Sequence, residues 1–303
     1  MDEKQRQKLA EITGKGIVFD CPMARYTTFR VGGKADVLCH IETRDQLQAV
    51  MTFLREERIV HLVLGRGSNL LVKDGGFEGV VIVLKGSLAN IEERLLGDQI
   101  LVAGGGLGIA ELLHYCQTEG LGGLEFLAGI PGTVGGAVAM NAGAWGKDMG
   151  GRVEHVELVM PAGDVVTMKR GELYFSYRQS SISHGAVIVR VGLALEQDRP
   201  EVVEAKVAFY LKERKEKQPL EYPSAGSIFK NPSHEYAGRL IERAGLKGKK
   251  IGGAMISLKH ANWIVNTGEA KTEDILALMQ LAQQKVKEQT GINLEPEIRV
   301  VGK

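Results

Sequence analysis

Gly65-Arg66-Gly67-Ser68-Asn69-Leu70 follows directly on the apolar run IVHLVL. A Gly-x-Gly-Ser-Asn turn at a strand end points several backbone N–H groups into one concavity, a nest suited to phosphate oxygens. The Ser68 hydroxyl and the Asn69 amide stand beside it. A second stretch, AGIPGTVGGAVAMNAGA at 128–144, holds five glycines and a proline without one charged side chain, in a chain that is 25% charged. Glycine costs roughly 0.5–1 kcal/mol against alanine in regular elements, so such a cluster marks positive φ or close approach by another group. That group is either a ligand lying against a wall nearly free of side chains or another segment of the chain itself. A third run, AGGGLG at 103–108, offers a further anion nest where a strand passes into a helix. Together the strand-end turn would hold a diphosphate, and the wall would let a large flat cofactor lie along its backbone.

The elements that position these stretches alternate. Strand-like runs are VLCHI (37–41), IVHLVLG (59–65), VVIVL (80–84), QILVAG (99–104), VEHVELVM (153–160) and AVIVRVGLALE (186–196). TRDQLQAVMTFLREER (43–58) has helical spacing and opens with a capping box, Thr43 and Gln46. IAELLHYCQTEG (109–120) is a second helix, closing on a left-handed Gly120. Pro200 opens a long helix, PEVVEAKVAFYLKERKEK. The character changes near residues 200–220: SAGSIFKNP is a loop, EYAGRLIERAG a short helix, and IGGAMI, NWIVN and LEPEIRVV are strands around a helix at 272–290.

Bulk properties narrow the function. At 303 residues the chain has room for two or three domains. A formal net charge of +1 implies no polyanion surface; of the basic runs LKERKEK and KGKK, the first alternates sign along a helix and reads as a solvated face. The three cysteines, Cys21, Cys39 and Cys116, are far apart and form no metal-spaced cluster, so free thiols in a reducing compartment are expected. The charged N-terminus lacks a signal-peptide core, and the apolar runs are strand-sized, which places the protein in the cytoplasm and off the membrane. There is no GxGxxG after a strand, no P-loop, no GxSxG elbow and no HExxH.

In order along the chain, GRGSNLLV, GIPGTVGGAVAMNAGA, FSYRQS, AGSIFKNP and LEPEIR resemble the motif series of the UDP-N-acetylenolpyruvoylglucosamine reductases, the MurB family. The likeness runs from TTFRVGG (27–33) to EPEIR (295–299). It implies an α+β protein with an FAD-binding domain of the vanillyl-alcohol-oxidase type and a small α+β substrate-binding domain. The two FAD-binding α+β subdomains would be residues 1–84 and 85–205, and the substrate-binding domain residues 206–303. The implied reaction uses NADPH as co-substrate and non-covalent FAD to reduce UDP-N-acetylglucosamine enolpyruvate to UDP-N-acetylmuramate, a step in peptidoglycan precursor synthesis. NADPH and the sugar nucleotide would use one cleft in turn, and no metal, nucleic acid, membrane or obligate protein partner is implied.

Residue by residue, the resemblance assigns FAD to Gly65, Arg66, Gly67, Ser68, Asn69, Leu70, Gly129, Pro131, Gly132, Thr133, Gly135, Gly136, Ala137, Asn141, Gly143 and Ala144. It assigns catalysis to Arg178 in FSYRQS, Ser227 in AGSIFKNP and Glu297 in EPEIR, with Lys217, Lys230 and Asn231 near the sugar nucleotide. Arginine suits the charge that develops on the enolpyruvyl carboxylate. Glu297 beside a carboxylate has to be protonated, which burial favours, or bind through Arg178 or water. Ser227, as proton donor, needs a relay or a cationic neighbour such as Lys230. The chain resembles the shorter type, without a tyrosine-bearing loop over the substrate diphosphate. Two alternatives remain: another flavin oxidase or dehydrogenase of the same fold, needing neither AGSIFKNP nor EPEIR, and a non-enzymatic nucleotide-binding regulator.

Overall fold

Capping chemistry sets the helix ends. The computed structural model describes residues 1–92 and 100–303, with helix α1 at Glu3–Thr13 and α2 at Arg44–Glu56. Thr43 caps α2 by accepting from the Gln46 amide at 3.2 Å. The return bond of the expected capping box is displaced by one residue, for the Gln46 carboxamide accepts from the Glu42 amide at 2.9 Å. Helix α3 (Ile109–Glu119) ends on Gly120 at φ 63 and ψ 40, a left-handed cap. Helix α4 (Val134–Ala139) lies inside the glycine-rich wall, and α5 (Pro200–Lys217) begins on its proline.

Two compact units form. The first takes Met1–Phe19, Asp36–Gly65 and Gly79–Glu213. One of its sheets has the order Ile17–Pro22, Lys34–Ile41, Phe77–Leu84, His61–Val63, with the last pair parallel. The run expected as a strand over 59–65 pairs only through His61–Val63. Helix α2 sinks Leu47, Val50, Met51 and Leu54 against Val37, Cys39, Ile41, Val80 and Ile82. Burial of each such side chain is worth about 1.5–3 kcal/mol.

The unit's other sheet has the order Val165–Lys169, Val153–Val159, Val187–Ala194, Ile100–Gly104, antiparallel throughout. The strand expected from residue 99 begins at Gln99, outside the described residues, and is paired from Ile100 onward. Leu112, Leu113 and Cys116 of α3 join Leu101, Val156 and Val191 in its core.

The second unit takes Asp20–Ala35, Arg66–Glu78 and Arg214–Lys303. Ala254–Ile256 pairs antiparallel with Lys250–Ile251 and with Ile264–Asn266, beside helices α6 (Ala237–Arg243) and α7 (Thr272–Thr290). The first amides of α7 are satisfied from far away in sequence. Asp74 accepts from the Thr272 and Glu273 amides at 3.2 and 3.3 Å, where a carboxylate also meets the positive end of the helix dipole. Leu70–Val72 pairs in parallel with Arg299–Val301, and the core gathers Phe29, Leu71, Phe229, Ile241, Leu278 and Ile298. The three cysteines are free and buried; burial pushes the Cys39 and Cys116 thiols up to about 12, with the Glu125 carboxylate adding to the effect at Cys116.

Candidate active site

In the first unit the wall is a short helix with one face open. Thr133 caps α4 through the Gly136 amide at 3.3 Å, and Val134, Gly135, Ala137 and Val138 turn inward and are buried. Gly129, Pro131, Gly136 and Ala139 are exposed. A Cβ on Gly132 would meet only the Ile109 side chain at 3.9 Å, and one on Gly136 only the Thr133 hydroxyl at 3.3 Å. These positions leave a surface without side chains, as a planar ring system requires.

Other glycines in the set answer to the chain itself. A Cβ on Gly135 would stand 3.0 Å from the Gly105 carbonyl and 3.3 Å from that of Ile188. On Gly65 it would stand 2.7 Å from the Thr133 hydroxyl, and on Gly143 2.5 Å from the Lys147 carbonyl. The two readings of the wall therefore divide by position.

The third glycine run is no anion nest. The amides of Gly104, Gly105 and Gly106 donate to the carbonyls of Asn90, Val189 and Leu88 at 2.8–2.9 Å. A Cβ would meet Leu88 O at 2.4 Å from Gly104, Ile188 O at 1.9 Å from Gly105 and Leu84 O at 2.7 Å from Gly106. Crossing backbones fill the space that an anion would need.

Arg178 sits at the turn of a hairpin, Phe175–Ser176 paired with Gln179–Ser180, at φ 60. An arginine there is strained, since its Cβ crowds the backbone. Its guanidinium carbon lies 5.0 Å from the Tyr177 ring centroid. Two bonds fasten the hairpin to the end of the wall: Asn141 Nδ2 donates to Ser176 O at 2.9 Å, and Ser180 Oγ to Ala139 O at 2.9 Å. Asn141 is 1% exposed; it also donates to Asp148 at 3.1 Å and accepts from the Gly150 amide at 2.8 Å. Assigned from the resemblance as a cofactor contact, Asn141 spends its carboxamide on holding the Arg178 hairpin.

The second unit holds residues 66–70 of the strand-end turn together with Ser227 and Glu297. Gly67, at φ 62, is buried, and a Cβ on it would overlap the Tyr26 carbonyl at 2.1 Å. Among the described residues, neither the Gly67 nor the Ser68 amide donates to a backbone carbonyl, so both are available to an anion. Asn69 points its side chain into the protein, where Nδ2 donates to Glu297 O at 3.1 Å. Its own carbonyl accepts from Arg299 N at 2.9 Å, so the turn is stitched to both sides of Ile298.

Ser227 and Glu297 are half-buried on neighbouring segments. Glu297 N donates to Ile228 O at 2.8 Å, Lys230 N to Glu295 O at 2.9 Å, and Phe229 bridges to Pro296. The Lys230 ammonium pairs with the Glu295 carboxylate at 2.5 Å, which directs its charge to that carboxylate. Asn231 accepts from Ala237 N at 3.0 Å and so holds the start of α6; Lys217 is exposed at the end of α5. Sequence reasoning missed Asn262, whose carboxamide pairs with the main chain of Phe229; a buried asparagine 33 residues away carries no local signal.

In the first unit the open face of 129–139 fits a planar ring system such as a flavin, and in the second the amides of 67–68 fit a diphosphate. Residues 35–169 match the family model described as an FAD binding domain. The alkyldihydroxyacetonephosphate synthase structure shares this fold at a TM-score of 0.51 and 15% identity, over 65% of this chain and 41% of that one. The chain thus carries an FAD-binding domain of the vanillyl-alcohol-oxidase fold.

Residues 218–301 match the model described as UDP-N-acetylenolpyruvoylglucosamine reductase, C-terminal domain. The reductase of that name from Caldanaerobacter subterraneus subsp. tengcongensis is 43% identical over 297 residues, 97% of each chain. The crystal structure of the Thermus caldophilus MurB reductase superposes at a TM-score of 0.80 with 39% identity, covering 94% of this chain and 98% of that one. The chain belongs to the UDP-N-acetylenolpyruvoylglucosamine reductase family.

Proposed function

We propose that this chain reduces UDP-N-acetylglucosamine enolpyruvate to UDP-N-acetylmuramate with NADPH, in the cytoplasm, as a step of peptidoglycan precursor synthesis. The match over 218–301 supports it against another flavin oxidase, because that is the part such an enzyme would not need. Residues 1–84 and 85–205 act as the FAD-binding subdomains and 206–303 as the substrate-binding domain, with NADPH and the sugar nucleotide using one cleft in turn. Among the described residues no helix is long and apolar enough to cross a membrane.

Bound FAD would supply the two-electron chemistry that links NADPH to the enolpyruvyl group. Gly129, Pro131, Gly132 and Gly136 would face it with bare backbone, and the Gly67 and Ser68 amides would take its diphosphate. Arg178 stabilises the charge that grows on the substrate carboxylate while the vinyl carbon is reduced. Glu297 acts with Arg178 in binding that carboxylate. Ser227 then protonates the carbon that bears it: the serine O–H bond breaks, a C–H bond forms, and the serine oxygen recovers a proton from water. Lys217, Lys230 and Asn231 lie along the sugar nucleotide.

The observation that carries this reading is the Arg178 hairpin, strained at φ 60 and fastened by Asn141 and Ser180 to the end of the side-chain-free wall. Strain held in place by two polar anchors is a mark of a working residue. Arg178→Lys and Glu297→Gln should each lower kcat by about a hundredfold or more with a smaller change in KM, as for loss of one contact made mainly in the transition state. Steady-state kinetics on folded, flavin-loaded variants measures this, and a change confined to stability overturns the assignment.

A further inference from the structure

The loop that carries Ser227 lacks a strand partner on one side, and a side chain stands where that partner would be. Asn262 is 3% exposed; its Nδ2 donates to Phe229 O at 2.8 Å and its Oδ1 accepts from Phe229 N at 3.0 Å. Its own carbonyl accepts from Ile228 N at 2.9 Å. A carboxamide offers a donor and an acceptor side by side at any pH, so it can pair with both main-chain groups of a single residue as a neighbouring strand does. The other edge of the loop is held by Glu297 N on Ile228 O and by the bridge from Phe229 to Pro296.

The anchors therefore fix the peptide that joins Ser227 to Ile228. On the other side of Ser227 stands Gly226 at φ 74, where a Cβ would meet nothing within 4 Å. Gly226 gives the serine freedom; Asn262 takes it away. We infer that Asn262 is a positioning residue for the Ser227 hydroxyl, an inference that rests on the proton-donor reading of Ser227. Asn262 touches neither substrate nor cofactor in this role. Its function is to set the direction in which the serine presents its proton.

His260 and Asn266 sharpen the argument. Asn262 N donates to His260 Nδ1 at 3.2 Å, which requires that nitrogen to be unprotonated. Asn266 is a second buried asparagine four residues on, but it donates to Phe29 O at 3.0 Å and accepts from the Gly268 and Ala270 amides. It has the same chemistry and a comparable burial, and it is aimed at a different loop.

The experiment compares Asn262→Asp, Asn262→Ser, Asn266→Ser and Ser227→Ala as folded, flavin-loaded proteins. Aspartate keeps the acceptor for Phe229 N and, once ionised at the alkaline end of the assay range, sets a second acceptor against Phe229 O; serine leaves both groups to water. Anaerobic stopped-flow absorbance follows flavin bleaching by NADPH and then recovery of colour with the enolpyruvyl sugar nucleotide. Both Asn262 variants should bleach within about twofold of the parent and recover colour about a hundredfold more slowly, the loss expected from misplacing a reacting group by near 1 Å. Their solvent-deuterium isotope effect on recovery should rise, and peptides covering 225–230 should exchange amide hydrogens faster in the absence of substrate. Asn266→Ser should lose stability and keep both rates.

If the Asn262 variants slow both half-reactions alike, or neither, while Ser227→Ala slows recovery alone, the positioning role falls and the proton-donor reading stands. If Ser227→Ala itself recovers colour at the parental rate, the proton-donor reading falls and the inference falls with it.

Discussion

Residues 103–108 and 128–144 lie in the same unit, are equally poor in side chains, and put that poverty to opposite uses. In AGGGLG the three consecutive glycines, Gly104 to Gly106, are each crossed by another backbone, and each of their amides is taken. In the wall the glycines alternate in purpose. Gly135 faces inward to the Gly105 carbonyl, while Gly136, its neighbour, faces outward to nothing but its own cap. One run makes the core dense enough to support the wall, and the other keeps a surface bare. A glycine-rich sequence thus states that something approaches, and only the fold says what.

Gly105→Ala should break the comparison hardest. Its Cβ would sit 1.9 Å from the Ile188 carbonyl, on one of the two inner strands of the sheet. A forced backbone shift of that kind should lower the unfolding midpoint by about 10 °C or yield insoluble protein, with flavin lost as a consequence. Calorimetry of the apoprotein measures this, and a midpoint near the parental one would remove the packing role.

Gly136→Leu should do the reverse. The apoprotein should be as stable as the parent or more so, because glycine inside a helix costs about 1 kcal/mol against better helix formers. Flavin affinity, by fluorescence titration of the apoprotein, should fall by at least about tenfold, or 1.4 kcal/mol. Full occupancy in this variant would take the wall away from the cofactor.

The smallest effect should appear at Cys116, which packs in the same core. Burial, with the Glu125 carboxylate, holds its thiol up at about 12, so little thiolate exists at pH 8. Mass-mapped alkylation should leave Cys116 unlabelled in the parent and in Gly136→Leu, and label it in whatever Gly105→Ala remains soluble. Because the group titrates upward, labelling of the native protein should rise with pH and fall with acid. Equal labelling of both variants would erase the distinction between the two runs.

Features decided within a few residues were legible in the sequence. Gly120 as a left-handed cap, Thr43 as an N-cap and Pro200 as a helix start all follow from local geometry, and all are found. Helix α4 was not legible, since two glycines in six residues argue against it; Thr133 and the burial of Val134, Ala137 and Val138 override propensity there. The third nest failed for a related reason: amides that look free in sequence are claimed by Asn90, Leu88 and Val189. Nor does FSYRQS announce a positive φ at Arg178, for no glycine or asparagine marks the turn. The polar anchors lay furthest out of reach. Asn141, Asn262 and Asn69 each hold a segment bearing Arg178, Ser227 or Glu297, and each does so across a sequence gap that periodicity does not register.

The stitch between Asn69 and Glu297 spans 228 residues of chain. A ribosome makes the phosphate turn early and its anchor late, so for most of synthesis the turn waits without the strand it will rest on. Closing so long a loop is entropically slow, and the parallel pairing of Leu70–Val72 with Arg299–Val301 cannot begin sooner. The nascent chain can therefore build the cores of its first unit before it can complete the turn at 66–70. The order of the residues themselves makes the turn wait for its anchor.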